Sequence, residues 1–507
     1  MAVSKSSTSF SRLDLTVGGS PISVAAADFN RDGKIDLVAA NFKNNTVSVL
    51  LNSGGAQFTN RTDISVGKSP TSVLVRDFNS DGILDIAAAN GFDSNVSLLL
   101  GDGTGKFRAG GTFAVGTFPT AISSGDFNGD GKPDLAVANF SSNSVSVLLN
   151  DGTGKFSNQA DVTVGTGPFA IAAGDFNRDG KSDLVAVNAL NKSISVLLAD
   201  ANGKFSQRQD ITVGNRPDAI AVGDFNGDGN LDLAVANADS NSVSILLGTG
   251  AGTFSKPTSI AVGQLPAAIA IGDFNGDGKL DLAVGNFLTD NVSVLLGNGN
   301  GSFRKLDSFA SGYSPRGITT ADFDGNGSTD IAVANLDGSN LSLLLNVQAA
   351  KINGTPEDDF LTSNDNPTLI LGNAGNDTLV GGNGNDTLQG GAGDDTLRGG
   401  AGNDRLLGNE GDDVLIGGAG NDTLNGGPGN DLLSGGAGSD VFVIARNSGT
   451  DQIQGFEVGK DKIRLTGGLR FSSLTFAGDT ISAAGQPLVK VLNIDTKTLK
   501  QSDFITA

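Results

Sequence analysis

The chain has 507 residues and a formal net charge of −21, from 34 basic and 55 acidic side chains. Glycine fills 74 positions, and every acid except Glu357, Glu410 and Glu457 is aspartate, a composition that excludes a helical protein because Gly and Asp disfavour helix interiors. The absence of His and Cys excludes Ser-His and Cys-His nucleophiles, His- or Cys-bound zinc and disulfides, and the acidity argues against nucleic acid as a partner.

Along the chain, Met1 to Leu15 lacks the apolar stretch of a cleavable signal peptide. No later apolar run approaches the roughly 20 residues of a membrane span. The string Asp-Phe-Asn then starts at Asp28 and recurs at Asp77, Asp126, Asp175, Asp224 and Asp273, with Asp-Phe-Asp at Asp322. The spacing is constant, close to 50 residues, and each period holds short β-rich runs between Gly/Asn/Asp turns. In the third, these runs are Ala121 to Phe127, Asp134 to Asn139, Ser144 to Leu149 and Val162 to Val164. Four short strands in a period of this length predict a propeller blade. The fourth-strand pattern also occurs once early, at Phe10 to Gly18, while the seventh period stops after its third strand. Placing the early strand in the last blade closes seven four-stranded blades and removes an exposed edge. An open solenoid is the alternative.

Each period carries D-x-N-x-D-G-x-x-D or a close variant. The oxygen-bearing residues are Asp28, Asn30, Asp32 and Asp36; Asp77, Asn79, Asp81 and Asp85; Asp126, Asn128, Asp130 and Asp134; Asp175, Asn177, Asp179 and Asp183. They continue as Asp224, Asn226, Asp228 and Asp232; Asp273, Asn275, Asp277 and Asp281; and Asp322, Asp324, Asn326 and Asp330. Positions 1, 3, 5 and 9 offer side-chain oxygens, position 7 a carbonyl, and a glycine at position 6 permits the sharp turn, a donor set suited to calcium. Position 12 is Ala or Val throughout, so these are not EF-hands. An Asx-rich turn without an ion is the alternative reading.

These loops, with their flanking Phe and DLAVAN-type strands, resemble the FG-GAP/VCBS repeats and the blades of integrin α-subunit propellers over residues 10 to 346. The resemblance implies a seven-bladed propeller with about seven calcium ions, one in the first hairpin loop of each blade. Functions in that family range over adhesion, lectin-like binding and enzyme-associated modules.

After Asn346 the composition shifts, and from Gly372 the register becomes nine residues, G-G-x-G-x-D-x-U-x. Its aspartates are Asp377, Asp386, Asp395, Asp404, Asp413, Asp422, Asp431 and Asp440, with Leu two residues after nearly all of them. The register extends back weakly to Gly354, with Asp359 and Leu361 in phase. This pattern is that of a calcium-binding parallel β-roll. One apolar residue per repeat is a thin core, so folding is expected to depend on metal. The segment resembles the RTX, haemolysin-type repeats, and the continuation to QSDFITA resembles RTX tails. That resemblance implies several calcium ions in the roll and export through the type I secretion machinery. Seven ions in the loops and about six in the roll would bring the chain close to neutrality.

The expected organisation is therefore all-β. A seven-bladed β-propeller spans 1–348, a parallel β-roll spans 349–443, and a small β cap carrying the secretion signal spans 444–507. One propeller face holds the calcium loops and the GTGKF-type turns. The other holds the loops after the second strand (Phe42, Phe92, Phe140, Leu190, Phe287, Leu336) and the VGxxP loops (Lys68, Phe118, Arg216, Leu265, Tyr313). The second face varies most between repeats, and its Phe residues serve either as inter-blade packing or as a binding rim. The functional expectation is a secreted, extracellular or cell-surface calcium-binding protein. It is non-enzymatic and engages a glycan or cell-surface protein. An extracellular polysaccharide-acting enzyme on the same scaffold is the alternative, although no catalytic constellation stands out from the repeats.

Overall fold

The computed structural model describes residues 9–200, 202–347, 350–363, 368–446 and 448–506. The chain forms two compact units, divided between Asn346 and Val347. Among the described residues no helix is long and apolar enough to cross a membrane.

The first unit is a ring of seven antiparallel sheets. Each blade starts with an inner strand entered through proline, such as Pro21–Ala27, followed by a fully buried strand such as Asp36–Asn41. A third strand, such as Thr46–Asn52, and an exposed outer one, such as Phe58–Ser65, complete it. In the third blade the outer strand is split into Phe156–Asn158 and Val162–Thr163. The inner strands of successive blades touch all the way round. The last blade takes its outer strand from the start of the chain: Phe10–Thr16 pairs antiparallel with Asn340–Asn346, in the register Phe10 to Asn346 and Thr16 to Asn340.

Two repeated contacts hold the blades together. The Phe of each Asp-Phe-Asn or Asp-Phe-Asp is buried and meets, edge-to-face, a Phe at or just before the start of the next blade's outer strand. Ring centroids are 5.5 Å apart for Phe29–Phe107, 5.7 Å for Phe78–Phe156 and 6.4 Å for Phe323–Phe58, which closes the ring. Phe10 of the first strand performs this role for Phe274, at 6.1 Å. The second contact explains the Asn ending each DLAVAN-type strand. Asn41 lies against Gly18, where an added Cβ would come within 2.4 Å of its Cγ, and its Nδ2 donates to the Ser48 hydroxyl at 2.8 Å.

The second unit is a parallel solenoid. An eight-stranded and a nine-stranded sheet face each other, and consecutive strands of one sheet come from chain segments 18 residues apart, as where Leu379 pairs with Leu397. The sole inward side chain per repeat, from Leu379 through Leu433 to Phe442, is fully buried. Parallel pairing runs on past the nine-residue register through Lys462–Leu465 to Phe504–Thr506. Two antiparallel strands, Leu474–Ala477 and Thr480–Ala483, finish the other sheet.

The edge-to-face seam predicts that Phe78→Ala costs about 3–5 kcal/mol of stability in calcium-saturated chemical unfolding, the usual loss for a buried Phe. Phe92→Ala, at an exposed loop, is expected to stay within about 0.5 kcal/mol.

Candidate metal centres and the opposite face

The seven aspartate loops share one construction. The position 1 carboxylate accepts from the position 6 glycine N–H, at 2.8 Å for Asp28 and Gly33 and 2.7 Å for Asp224 and Gly229. That glycine holds φ at +81° in the first loop, a region other residues avoid. The position 3 oxygen accepts from the position 5 N–H, and the position 5 carboxylate accepts from the position 7 N–H, at 3.1 and 3.0 Å for Asn30 and Asp32. Position 9 begins the buried second strand. Asp36, Asp85, Asp134, Asp183, Asp232, Asp281 and Asp330 are fully buried. Each uses one oxygen for the Phe N–H of its own loop and the other for an N–H at the end of the third strand, at 2.9 and 2.8 Å for Asp36.

These hydrogen bonds shape the loops but do not neutralise them. Burial, reinforced by the position 1 and 5 carboxylates, pushes Asp134, Asp183 and Asp281 up to about 6; burial with the position 1 and 3 carboxylates, Asp322 and Asp324, pushes Asp330 to about 7. In the seventh loop one oxygen each from Asp322, Asp324 and Asp330 lie within 4.8 Å of one another. These three carboxylate oxygens form a hard set that fits a divalent cation of calcium type; among the described residues the other six loops do not bring three carboxylates this close.

The solenoid makes a stronger case. Asp377, Asp395, Asp413 and Asp431 run along one side and Asp386, Asp404, Asp422 and Asp440 along the other, all 1–2% exposed. One oxygen of each accepts the backbone N–H of the residue 18 positions earlier, at 2.7 Å for Asp386 and 2.8 Å for Asp404. The other oxygen, in all eight, is buried with no hydrogen-bond partner. It faces glycine backbone: a Cβ on Gly381 would meet Asp386 Oδ2 at 2.4 Å and the Gly399 carbonyl oxygen at 2.5 Å. Rows of buried carboxylate and carbonyl oxygens with no donor between them are relieved by a cation or by protonation, and the all-oxygen set fits calcium. Burial raises Asp386 and Asp413 to about 7 and Asp395 and Asp422 to about 6.

The structure extends both rows beyond the sequence register. Asp451 continues one by accepting from Asp431 N–H at 3.3 Å, and Asp461 the other by accepting from Asp440 N–H at 3.0 Å. Their intervals are 20 and 21 residues instead of 18, because the coil widens after Ile444, so a strict nine-residue scan passes over them. Asp359 heads the first row, its N–H donating to Asp377 at 2.7 Å. Thr368 stands at the head of the second, where the register has lost its acid.

The other propeller face gathers the loops that vary. Phe42 N–H donates to the Ser20 carbonyl, and Phe140 N–H to the Phe118 carbonyl, so the two loop sets interleave there. Phe92, Leu190, Leu288 and Tyr313 are its exposed apolar residues; in the sixth blade Leu288 protrudes while Phe287 is half-buried. Phe42, Phe92, Phe118, Phe140 and Phe169 form a continuous arc across blades one to four, with successive centroids 6.0, 5.6, 6.4 and 6.2 Å apart. The residue before each inner-strand proline has positive φ in every blade, including the bulky Phe118, Arg216 and Leu265. The arc runs into an axial cavity of about 730 Å³ lined by the inner strands.

Fold and oxygen-rich loops together define a calcium-binding β-propeller protein. The FG-GAP-like repeat profile matches six overlapping stretches, 28–88, 77–137, 126–186, 179–235, 224–284 and 273–333. The chain belongs to the FG-GAP-like repeat family, and it also carries RTX calcium-binding nonapeptide repeats at 371–406 and 407–442. No curated protein matches it. Among solved structures, BBS1N in complex with ARL6DN, soaked with lead, is similar at 15% identity and a TM-score of 0.50, covering 68% of this chain and 99% of that one. Hydrazine synthase from Kuenenia stuttgartiensis is 17% identical, with a TM-score of 0.47 and coverage of 66% and 97%. At 15% identity the likeness to the first is one of fold.

A raised carboxyl pKa means that the native state holds protons more tightly than the unfolded chain. Its stabilising contribution is complete below about pH 4 and is lost as pH rises through about 6–7. In chelator, the urea midpoint of the full-length protein is therefore expected to fall steadily from pH 5 to pH 8. Saturating calcium is expected to abolish that fall. A midpoint that rises with pH in chelator would contradict the assignment.

Proposed function

We propose that this is a secreted, non-enzymatic binding protein whose calcium loops stiffen a propeller presenting its aromatic rim to a glycan. The observation that carries the reading is the Phe42–Phe169 arc. Five rings lie side by side on the face away from the metal loops, where the repeat itself does not require them. Aromatic rings offer apolar faces to the C–H surfaces of sugars, and binding sites gather on variable loops over a rigid frame. A surface protein is the second partner class that such a rim fits.

The calcium ligands in this reading are the loop residues at positions 1, 3, 5 and 9 of each blade and the eight roll aspartates, joined by Asp359, Asp451 and Asp461. About seven ions would sit in the propeller and several in the roll. RTX repeats are typical of secreted proteins, and their orphaned carboxylates supply a logic for export. The roll remains unfolded where calcium is scarce and folds once outside. Residues 444–507 would carry the signal read by a type I secretion machinery. The regularly placed aspartates are committed to metal loops, which supports binding over catalysis.

Two experiments test this. A polysaccharide and surface-glycan array probed with full-length protein is expected to give a signal that chelator removes. Combined replacement of Phe92, Phe118 and Phe140 by Ala should lower it at least about tenfold while calcium-loaded unfolding stays near wild type. An array silent to folded, calcium-loaded protein would shift the reading to a protein partner. Deleting residues 444–507 is expected to stop export, and unchanged export would remove the secretion assignment.

A further inference from the structure

The repeat is broken at one register position, and that position lines the axial cavity. In all seven blades a proline opens the inner strand, and a β-branched residue follows three places later, from Val24 to Ile318. Directly after the proline come Ile22, Thr71, Thr120, Phe169, Asp218, Ala267 and Arg316. Equivalent sites in a symmetric ring need equivalent side chains for packing, so this divergence is not demanded by the fold.

Arg316 reaches from blade seven across the axis. Its guanidinium lies 4.7 Å from the centroid of the Phe169 ring in blade four, and its Nη1 donates to Asp218 in blade five at 3.3 Å. The side chain is only 14% exposed. Asp218 is unavailable to a ligand, since Arg216 also holds it, through Nε at 3.3 Å and Nη2 at 3.0 Å. Asp337, at the cavity wall, accepts the Ser314 hydroxyl at 2.7 Å. Among the described residues Arg316 Nε and Nη2 donate to nothing. That pair is the edge of a guanidinium that grips a carboxylate through two parallel hydrogen bonds. Gly317 lets this strand approach blade one, because a Cβ there would come within 2.8 Å of the Ser23 Cα.

Resting on the glycan reading above, we infer that the axial cavity takes the carboxylate of a uronic acid residue on the free edge of Arg316, with the sugar ring against Phe169 and the rest of the chain running out along the phenylalanine arc. Asp218 is the positioning residue, holding the guanidinium across the channel. The cavity volume suits a single bound ring with its neighbours. The hydroxyls of Ser20, Ser23 and Ser72 on the facing wall suit its hydroxyl groups.

The test is calorimetric titration of calcium-saturated full-length protein with trisaccharides of galacturonate, mannuronate and guluronate. Their methyl esters and an O-sulfated neutral trisaccharide are the comparators. At least one uronate should bind about tenfold or more tighter than its own ester, the usual worth of a charge-assisted hydrogen bond. Arg316→Gln should abolish the difference and Arg316→Lys should keep only part of it, each with unfolding in calcium as the fold control. The ester contrast needs no variant, so it decides even if both substitutions disturb the ring. Equal binding of acid and ester, preference for the sulfate, or a contrast indifferent to folded Arg316→Gln overturns the inference and leaves the glycan reading intact. No binding of any saccharide overturns both.

Discussion

Buried negative charge is the constraint around which this protein is organised. Seven loop aspartates are fully buried, and eight roll aspartates nearly so. In the roll, each of the eight has an oxygen with no hydrogen-bond partner. Desolvating a carboxylate without a counter-ion is costly enough that the group either takes a proton or finds a cation. The glycines that approach those oxygens cannot be enlarged, and the single Leu per repeat cannot compensate for the charge. Metal therefore belongs to the folding free energy of the roll, and in the propeller it fastens loops that hydrogen bonds have already shaped.

The two units use that constraint differently. Neighbouring propeller blades share an apolar layer and an edge-to-face phenylalanine seam, so the loops sit on a structure with a substantial core. The solenoid stacks one side chain per repeat, in two files that face each other from its two sheets, and its carboxylate ladders add to the parallel strand pairing between coils. The two units thus differ in how much apolar core stands behind their buried carboxylates.

Much of this was legible in the sequence because the fold is periodic. The Asp-Phe-Asn interval, the surplus strand at Phe10 and the G-G-x-G-x-D register each map onto one repeated physical contact. What escaped lies where periodicity fails. Asp451 and Asp461 sit in line with the roll aspartates although their spacing has lengthened, since the wider coil preserves the stack in space and not in number. The contact of Arg316 with Asp218 and Phe169 joins blades seven, five and four across an axis, and no local pattern relates residues so far apart. The phenylalanines of the second face were open to two readings, and the ring-to-ring arc with exposed Phe92 shows packing and exposure together.

The strand Phe10–Thr16 carries a consequence for the order in which the ring is made. Its partner, Asn340–Asn346, is the third strand of the seventh blade, so closure joins points more than 300 residues apart and lies among the slowest kinds of contact to form. Until then the seventh blade shows a bare edge and Phe274 lacks the ring of Phe10. An unpaired edge of this kind is a general hazard for pairing with other chains, and drawing the closing strand from the same chain removes it.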